Sequence, residues 1–137
     1  MELKKIDHIG IAVRDLEAAI KFYSGVLGLE VKAIEEFQDL QVKVAFMPLG
    51  EALVELVQPL TPDAPLAQRI KQEGEGMYHL ALSVRDINEA LKELKAAGIA
   101  MRDGEARPGG MGSLIAFTGT ADTNNVSIEL VEREDEL

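Results

Sequence analysis

The chain has no cysteine and no tryptophan, only two histidines, and only 4% aromatic residues among 137. Each scarcity removes chemistry. Without cysteine there is no disulfide, no thiolate nucleophile and no sulfur ligand, so a metal ion has to be held by imidazole nitrogen and carboxylate or amide oxygen. Positive charge is short as well: 14 Lys and Arg stand against 24 Asp and Glu, a formal net charge of −10. No nucleic-acid backbone and no anionic membrane is expected as a partner of such a chain. An anionic small molecule stays admissible, because a metal or a few basic side chains reverse the field inside one cleft. No apolar run approaches the roughly 18 residues of a membrane-spanning helix. Met1 to Lys5 run straight into strand-like sequence with no signal-peptide apolar region, and a cytoplasmic location is the expectation.

What remains is an ordinary globular balance, 47% hydrophobic and 28% charged. The length suits a single domain, residues 1–137, or two small fused halves. The sequence favours the second description of its interior. "DHIGIAVRDLEAAIKF" in the first half and "YHLALSVRDINEALKE" in the second align with His8 over His79 and Val-Arg-Asp over Val-Arg-Asp. Leu27-Gly28-Leu29 falls near Ala97-Gly98-Ile99, and "LVELVQ" near "VSIELVE" with Glu55 over Glu129. The offset drifts by a few residues, as loop insertions make it do.

Each half reads in the same order. Residues 5–13 alternate and are rich in β-branched types, so they predict a strand. Asp15 predicts an N-cap for a helix over Leu16–Leu27, closed by Gly28, with Leu16, Ala19, Ile20, Tyr23 and Leu27 facing inward. Strands follow at about 29–36, 40–48 and 51–58. In the second half Asp86 with Glu89 three residues on forms a capping pair for a helix Ile87–Ala97, ended by Gly98. Strands follow at about 99–103, 113–118 and 126–132. The prediction is an α+β fold of two tandem βαβββ modules, residues 4–58 and 77–132, forming a curved mixed sheet around a central metal site. Residues 59–76 form a Pro-rich linker with a short helix at Pro65–Gln72, and "EREDEL" reads as a charged, frayed end.

Alternation assigns faces. Asp7, Ile9, Ile11 and Val13 share one side of the first strand, and His8, Gly10 and Ala12 the other. Tyr78, Leu80, Leu82 and Val84 share one side in the second half, and His79, Ala81 and Ser83 the other. The bulky sides belong under the helices, and Tyr78 is expected in the core. The histidine sides carry small neighbours. Glu55 and Glu129 sit in the corresponding last strands, so His8, Glu55, His79 and Glu129 form two symmetry-matched pairs. Two imidazoles and two carboxylates about one point make a divalent-metal site, and without a cation the carboxylates would repel. Asp15 and Asp86 are better explained as helix caps than as catalytic carboxylates.

The same residues carry a family resemblance. "IDHIGIAVRDLEAAIKFYSGVLGLEV", "VAFMPLGEALVELVQPLTPDAPLAQRIKQEGEGMYHLALSV" and "RPGGMGSLIAF" resemble the vicinal-oxygen-chelate superfamily and, within it, the methylmalonyl-CoA epimerases, over nearly the whole chain. Tyr78-His79 stands where that family usually has His-His, "FTGT" and "NNV" replace its Phe-Leu-His-Pro and Gly-Gly-Val, and Lys43 stands where some epimerases have a glutamate. The resemblance implies metal ligation by His8, Glu55, His79 and Glu129, with cobalt expected first and zinc, manganese, nickel or iron also compatible with N/O donors. It implies a homodimer, an acyl-CoA substrate and proton transfer at C2 through a metal-stabilised enolate. Glu129 is then one proton-transfer group. For the other, Glu55, a water and the Gln41–Lys43 strand all stay open. Lys43 is a candidate for the substrate carboxylate or CoA phosphates, against a plain surface lysine. Gly110 and Gly112 are candidates for backbone N–H contact with an anion or thioester, against a plain turn. Three other readings compete. A lactoylglutathione lyase uses the same ligand arrangement but often has an arginine on its first strand, where this chain has Ala12 and Val13. A metal-free binding module would not need the ligands, and an iron dioxygenase would want two His and one carboxylate in a longer chain.

Overall fold

The computed structural model describes residues 1–134. Among them lie eight strands, three α-helices and one 3₁₀ turn. The order is β1 (Leu3–Ala12), α1 (Leu16–Tyr23), β2 (Ala33–Phe37), β3 (Val42–Leu49), β4 (Ala52–Pro59), α2 (Pro65–Glu73), β5 (Gly76–Val84), α3 (Ile87–Ala96), β6 (Arg107–Pro108), β7 (Leu114–Phe117) and β8 (Ser127–Glu132), with the 3₁₀ turn at Gly110–Gly112. This is the α+β class with βαβββ used twice. No helix of the described residues is long and apolar enough to cross a membrane.

The chain packs as two compact units whose boundary does not follow the repeat. One holds Met1–His8 with residues from His79 onward, and the other holds Ile9–Tyr78. β1 therefore contributes its first half to the unit that carries the second module's strands. In that unit Arg85 N–H donates to the Glu2 carbonyl at 3.3 Å. The Ser83 hydroxyl reaches the Lys5 carbonyl at 3.5 Å. The same register sets His8 across from His79.

In the Ile9–Tyr78 unit, β2, β3 and β4 lie side by side, antiparallel. Val13 N–H donates to the Val57 carbonyl at 2.9 Å, tying the end of β1 to β4. The core joins Val13, Leu16, Ala45, Met47 and Leu56, with Ile11, Ala19, Ile20 and Tyr23 against them. The bulky side of β1 thus packs under α1, as alternation predicts. Asp15 caps α1 by accepting the Ala18 N–H at 3.1 Å, and Leu16 N–H is taken by the Gln58 side chain at 2.7 Å. The helix stops at Tyr23 rather than Leu27. After Tyr23 the bonds widen: Gly25 N–H reaches the Ile20 carbonyl at 3.3 Å and Leu27 N–H the Phe22 carbonyl at 3.0 Å, five residues back. Gly25 permits this, since a Cβ there would stand 2.3 Å from the Lys21 carbonyl oxygen. α2 starts on Pro65, where a missing N–H costs nothing, and runs one residue past the predicted end.

In the other unit, β5 pairs with β8 in parallel, and β8 with β7 and β7 with β6 antiparallel, a mixed arrangement. Its core is Val84, Ile87, Ala90, Leu91, Ala116 and Leu130. α3 is capped by Asp86, whose carboxylate accepts the Glu89 N–H at 3.1 Å. Asp86→Ala should lower stability by about 1 kcal/mol, the usual cost of losing an N-cap, read as a shifted urea midpoint with unchanged slope. The strand expected at 99–103 is reduced to one bridge, Met101 to Thr118. The cause is local. Arg102 and Asp103 N–H both converge on the Phe117 carbonyl, and the Asp103 carboxylate takes the Phe117 N–H at 2.9 Å in place of a ladder carbonyl. The two-residue strand Arg107–Pro108 pairs with β7 instead. The end is not frayed at Arg133, which is held by side-chain bonds described below. Residues 135–137 of the predicted frayed end lie outside the described residues.

Candidate metal centre

Three of the predicted ligands meet within one unit. His8 comes from β1, His79 from β5 and Glu129 from β8. β5 and β8 run parallel with Ala81 opposite Glu129. Ala81 has no side chain beyond Cβ, which leaves the glutamate room to lean along the strand toward His79. Glu129 Oε1 lies 3.0 Å from His8 Nε2 and 3.3 Å from His79 Nε2. The two rings stand edge to face with centroids 5.0 Å apart. All three residues are buried, at 3%, 5% and 5% exposure, and their ligand atoms lie within 4.8 Å of one another.

These spacings suit a cation. Donors bound at about 2.1 Å to a divalent ion stand roughly 3.0–3.4 Å apart when adjacent, for octahedral to tetrahedral angles. The two N···O distances fall in that window. Two borderline nitrogens and one hard oxygen also match the donor set of first-row divalent metals. Burial pushes the Glu129 carboxyl up, but the charge of His8, its hydrogen bond and the charge of His79 outweigh that and hold it below the usual carboxylate value. The group is therefore held as an anion beside the two imidazoles.

Alternation did not single out Asp7. It sits directly before His8 and is fully buried. His8 Nδ1–H donates to Asp7 Oδ1 at 2.7 Å. That bond turns Nε2 toward Glu129, the carboxylate–histidine arrangement that fixes imidazole ligands. Arg133 completes it, with Nε on Oδ2 at 2.9 Å and Nη2 on Oδ1 at 3.0 Å. Burial raises the Asp7 carboxyl, yet the hydrogen bonds and charges of His8 and Arg133 hold it well below the usual carboxylate range. A carboxylate among Ile9, Ile11 and Val13 on the bulky side was the available signal. Its partner 126 residues away in a charged tail gave none.

The second module differs at the matching position. Tyr78 precedes His79, and it is half-buried with the Arg69 guanidinium 5.6 Å from its ring centre, not a core residue. His79 packs edge to face on Phe117, at 5.6 Å.

Of the other predicted site residues, Gly110 and Gly112 belong to the same unit, in the 3₁₀ turn, where Met111 and Gly112 both take positive φ. The Gly110 carbonyl accepts Arg133 Nη1 at 3.1 Å. Glu55 and Lys43 belong to the Ile9–Tyr78 unit. Glu55 lies on β4, 6% exposed and opposite Phe46. Lys43 lies half-buried on β3, opposite Gln58 and Glu36.

The chain is similar to known proteins. Residues 7–117 match the model of the Glyoxalase/Bleomycin resistance protein/Dioxygenase superfamily. The ethylmalonyl-CoA/methylmalonyl-CoA epimerase of Cereibacter sphaeroides is 36% identical over 92% of this chain and 96% of its own length. The mitochondrial methylmalonyl-CoA epimerase of Bos taurus is 36% identical over 93% of this chain and 74% of its own. A variant of Streptomyces coelicolor methylmalonyl-CoA epimerase, solved in complex with 2-nitronate-propionyl-CoA, superposes with a TM-score of 0.93 at 30% identity, over 98% of this chain and 100% of that one. A duplicated βαβββ fold, a buried His-His-Glu cluster and likeness to these enzymes over nearly the whole of this chain converge on one conclusion: the chain belongs to the glyoxalase/bleomycin resistance/dioxygenase superfamily and, within it, to the methylmalonyl-CoA epimerases.

Proposed function

We propose that this chain interconverts (R)- and (S)-methylmalonyl-CoA by moving a proton at C2, at a divalent metal held by His8, Glu55, His79 and Glu129. The observation that carries the reading is the convergence of His8, His79 and Glu129 in a buried site at metal-donor spacing. Glu55 joins them by the repeat: it occupies the place in β4 that Glu129 occupies in β8. Cobalt is the first choice among ions such as zinc, manganese and nickel that the same donors accept. A divalent cation held by these residues would supply Lewis acidity that eases removal of the C2 proton.

The residues divide the remaining work. C2 must lose a proton on one face and regain it on the other, so two groups are needed. Glu129 is assigned one face and Glu55 the other, since the duplication delivers them from separate modules. Glu129 Oε1 faces both imidazoles, which leaves its second oxygen for the proton. Lys43 is assigned to the acyl-CoA's anionic groups. The N–H groups of the turn at Gly110 and Gly112 are assigned to the thioester or a phosphate oxygen. A homodimer is the assembly that accompanies this reading.

Solvent-deuterium incorporation at C2 of methylmalonyl-CoA tests it. Metal-loaded protein should exchange the proton, a chelator should reduce exchange to background, and added Co²⁺ should restore it. Turnover of a glutathione hemithioacetal with no exchange at C2 would point to a lactoylglutathione lyase and overturn the reading.

A further inference from the structure

Arg133 spans two features that the sequence keeps far apart. One side of its guanidinium grips both oxygens of Asp7, at 2.9 and 3.0 Å. Its remaining arm, Nη1, donates to the Gly110 carbonyl at 3.1 Å and reaches the Met111 carbonyl at 3.5 Å. Asp7 in turn accepts from His8 Nδ1 at 2.7 Å. A continuous set of short bonds therefore runs from a metal-ligating imidazole to the glycine-rich turn.

The pair is poorly explained as a stabiliser. Asp7 is fully buried and Arg133 is 9% exposed. Removing two charges from water costs several kcal/mol per ion, and an apolar pair of similar volume does as well or better. What an apolar pair cannot do is accept from an imidazole N–H and offer a guanidinium arm to a turn. The turn also needs the support. Met111 holds a positive φ of 55°, a conformation that a side-chain-bearing residue seldom adopts unless its surroundings impose it.

We infer that Asp7 and Arg133 are positioning residues that fix the His8 imidazole for its metal and fasten the turn Gly110–Gly112 to that ligand. The inference rests on the metal-site reading proposed above. Asp7 sets which His8 nitrogen is presented and raises its donor strength. Arg133 holds Asp7 in place and makes the turn's position depend on it. Neither touches the reacting carbon.

The test measures Co²⁺ affinity by chelator competition, and amide hydrogen exchange across residues 109–113 with and without Co²⁺, on wild type, Asp7→Asn and Arg133→Lys. Asp7→Asn keeps the shape but removes the charge, and should weaken Co²⁺ binding about 10–100-fold. Arg133→Lys keeps a cation beside Asp7 but loses the fork. It should leave affinity within a few-fold of wild type while exchange across 109–113 speeds up and no longer slows on adding Co²⁺. Lower melting temperatures in both variants, with Co²⁺ affinity and turn exchange unchanged, would show a plain structural clamp and overturn the inference while leaving the metal site standing. Folded wild type that takes up no Co²⁺ would overturn the metal reading and this one together.

Discussion

Glu129→Gln should reduce deuterium exchange at C2 by about a thousandfold or more, with most of the bound metal lost. Glutamine keeps the shape and volume of the side chain, so the fold has no reason to fail. It changes three things together. The anion that both imidazoles face at 3.0 and 3.3 Å disappears. One oxygen donor becomes an amide, which is a weaker ligand for a divalent ion. The proposed proton acceptor is removed, a loss worth roughly 10²–10⁴ by itself. Elemental analysis and the exchange assay, run side by side, separate the contributions. If added Co²⁺ restores full metal content but not rate, the carboxylate is needed for the proton as well as the ion. Retention of more than a tenth of the wild-type rate would sink the role given to Glu129.

The second large effect falls on the scaffold. Ile87→Ala should cost about 2–5 kcal/mol of stability. Ile87 is fully buried, packs with Ala90, Leu91, Ala116 and Leu130, and opens α3, where its N–H is taken by the Glu132 carboxylate at 2.9 Å. Alanine leaves a cavity beside Leu130, the neighbour of Glu129 in β8. Against a typical total of about 5–15 kcal/mol that is a large fraction, and melting should fall by about 10 °C. Well below the lowered transition, metal content and exchange rate should stay close to wild type, because no donor atom is touched. Calorimetry and the exchange assay check the two halves of this statement.

The clustering of His8, His79 and Glu129 was legible in the sequence to the extent that duplication made it so. A lone buried histidine carries little information, but His8 and His79 occupy the same point of a repeated unit, and period-two alternation then places Glu129 on the matching side of its strand. The helix caps were legible for a different reason: Asp15 and Asp86 act on N–H groups three residues away, and local chemistry of that kind is written in order along the chain. Three features were not. The early stop of α1 depends on Gly25 lying over the Lys21 carbonyl, a clearance that no propensity encodes. The loss of a strand at 99–103 depends on Asp103 taking the place of a backbone carbonyl. The partnership of Asp7 with Arg133 is a tertiary contact between residues at opposite ends of the chain, and the charged end read as frayed.

Asp7 has no counterpart in the second half, where Tyr78 stands before His79. The repeat gives the two imidazoles matching positions but different neighbours. One ring is hydrogen-bonded to the carboxylate before it, and the other packs nearly perpendicular to Phe117. The proton transfer proposed above, between two faces of one carbon, would thus run beside two imidazoles whose neighbours differ.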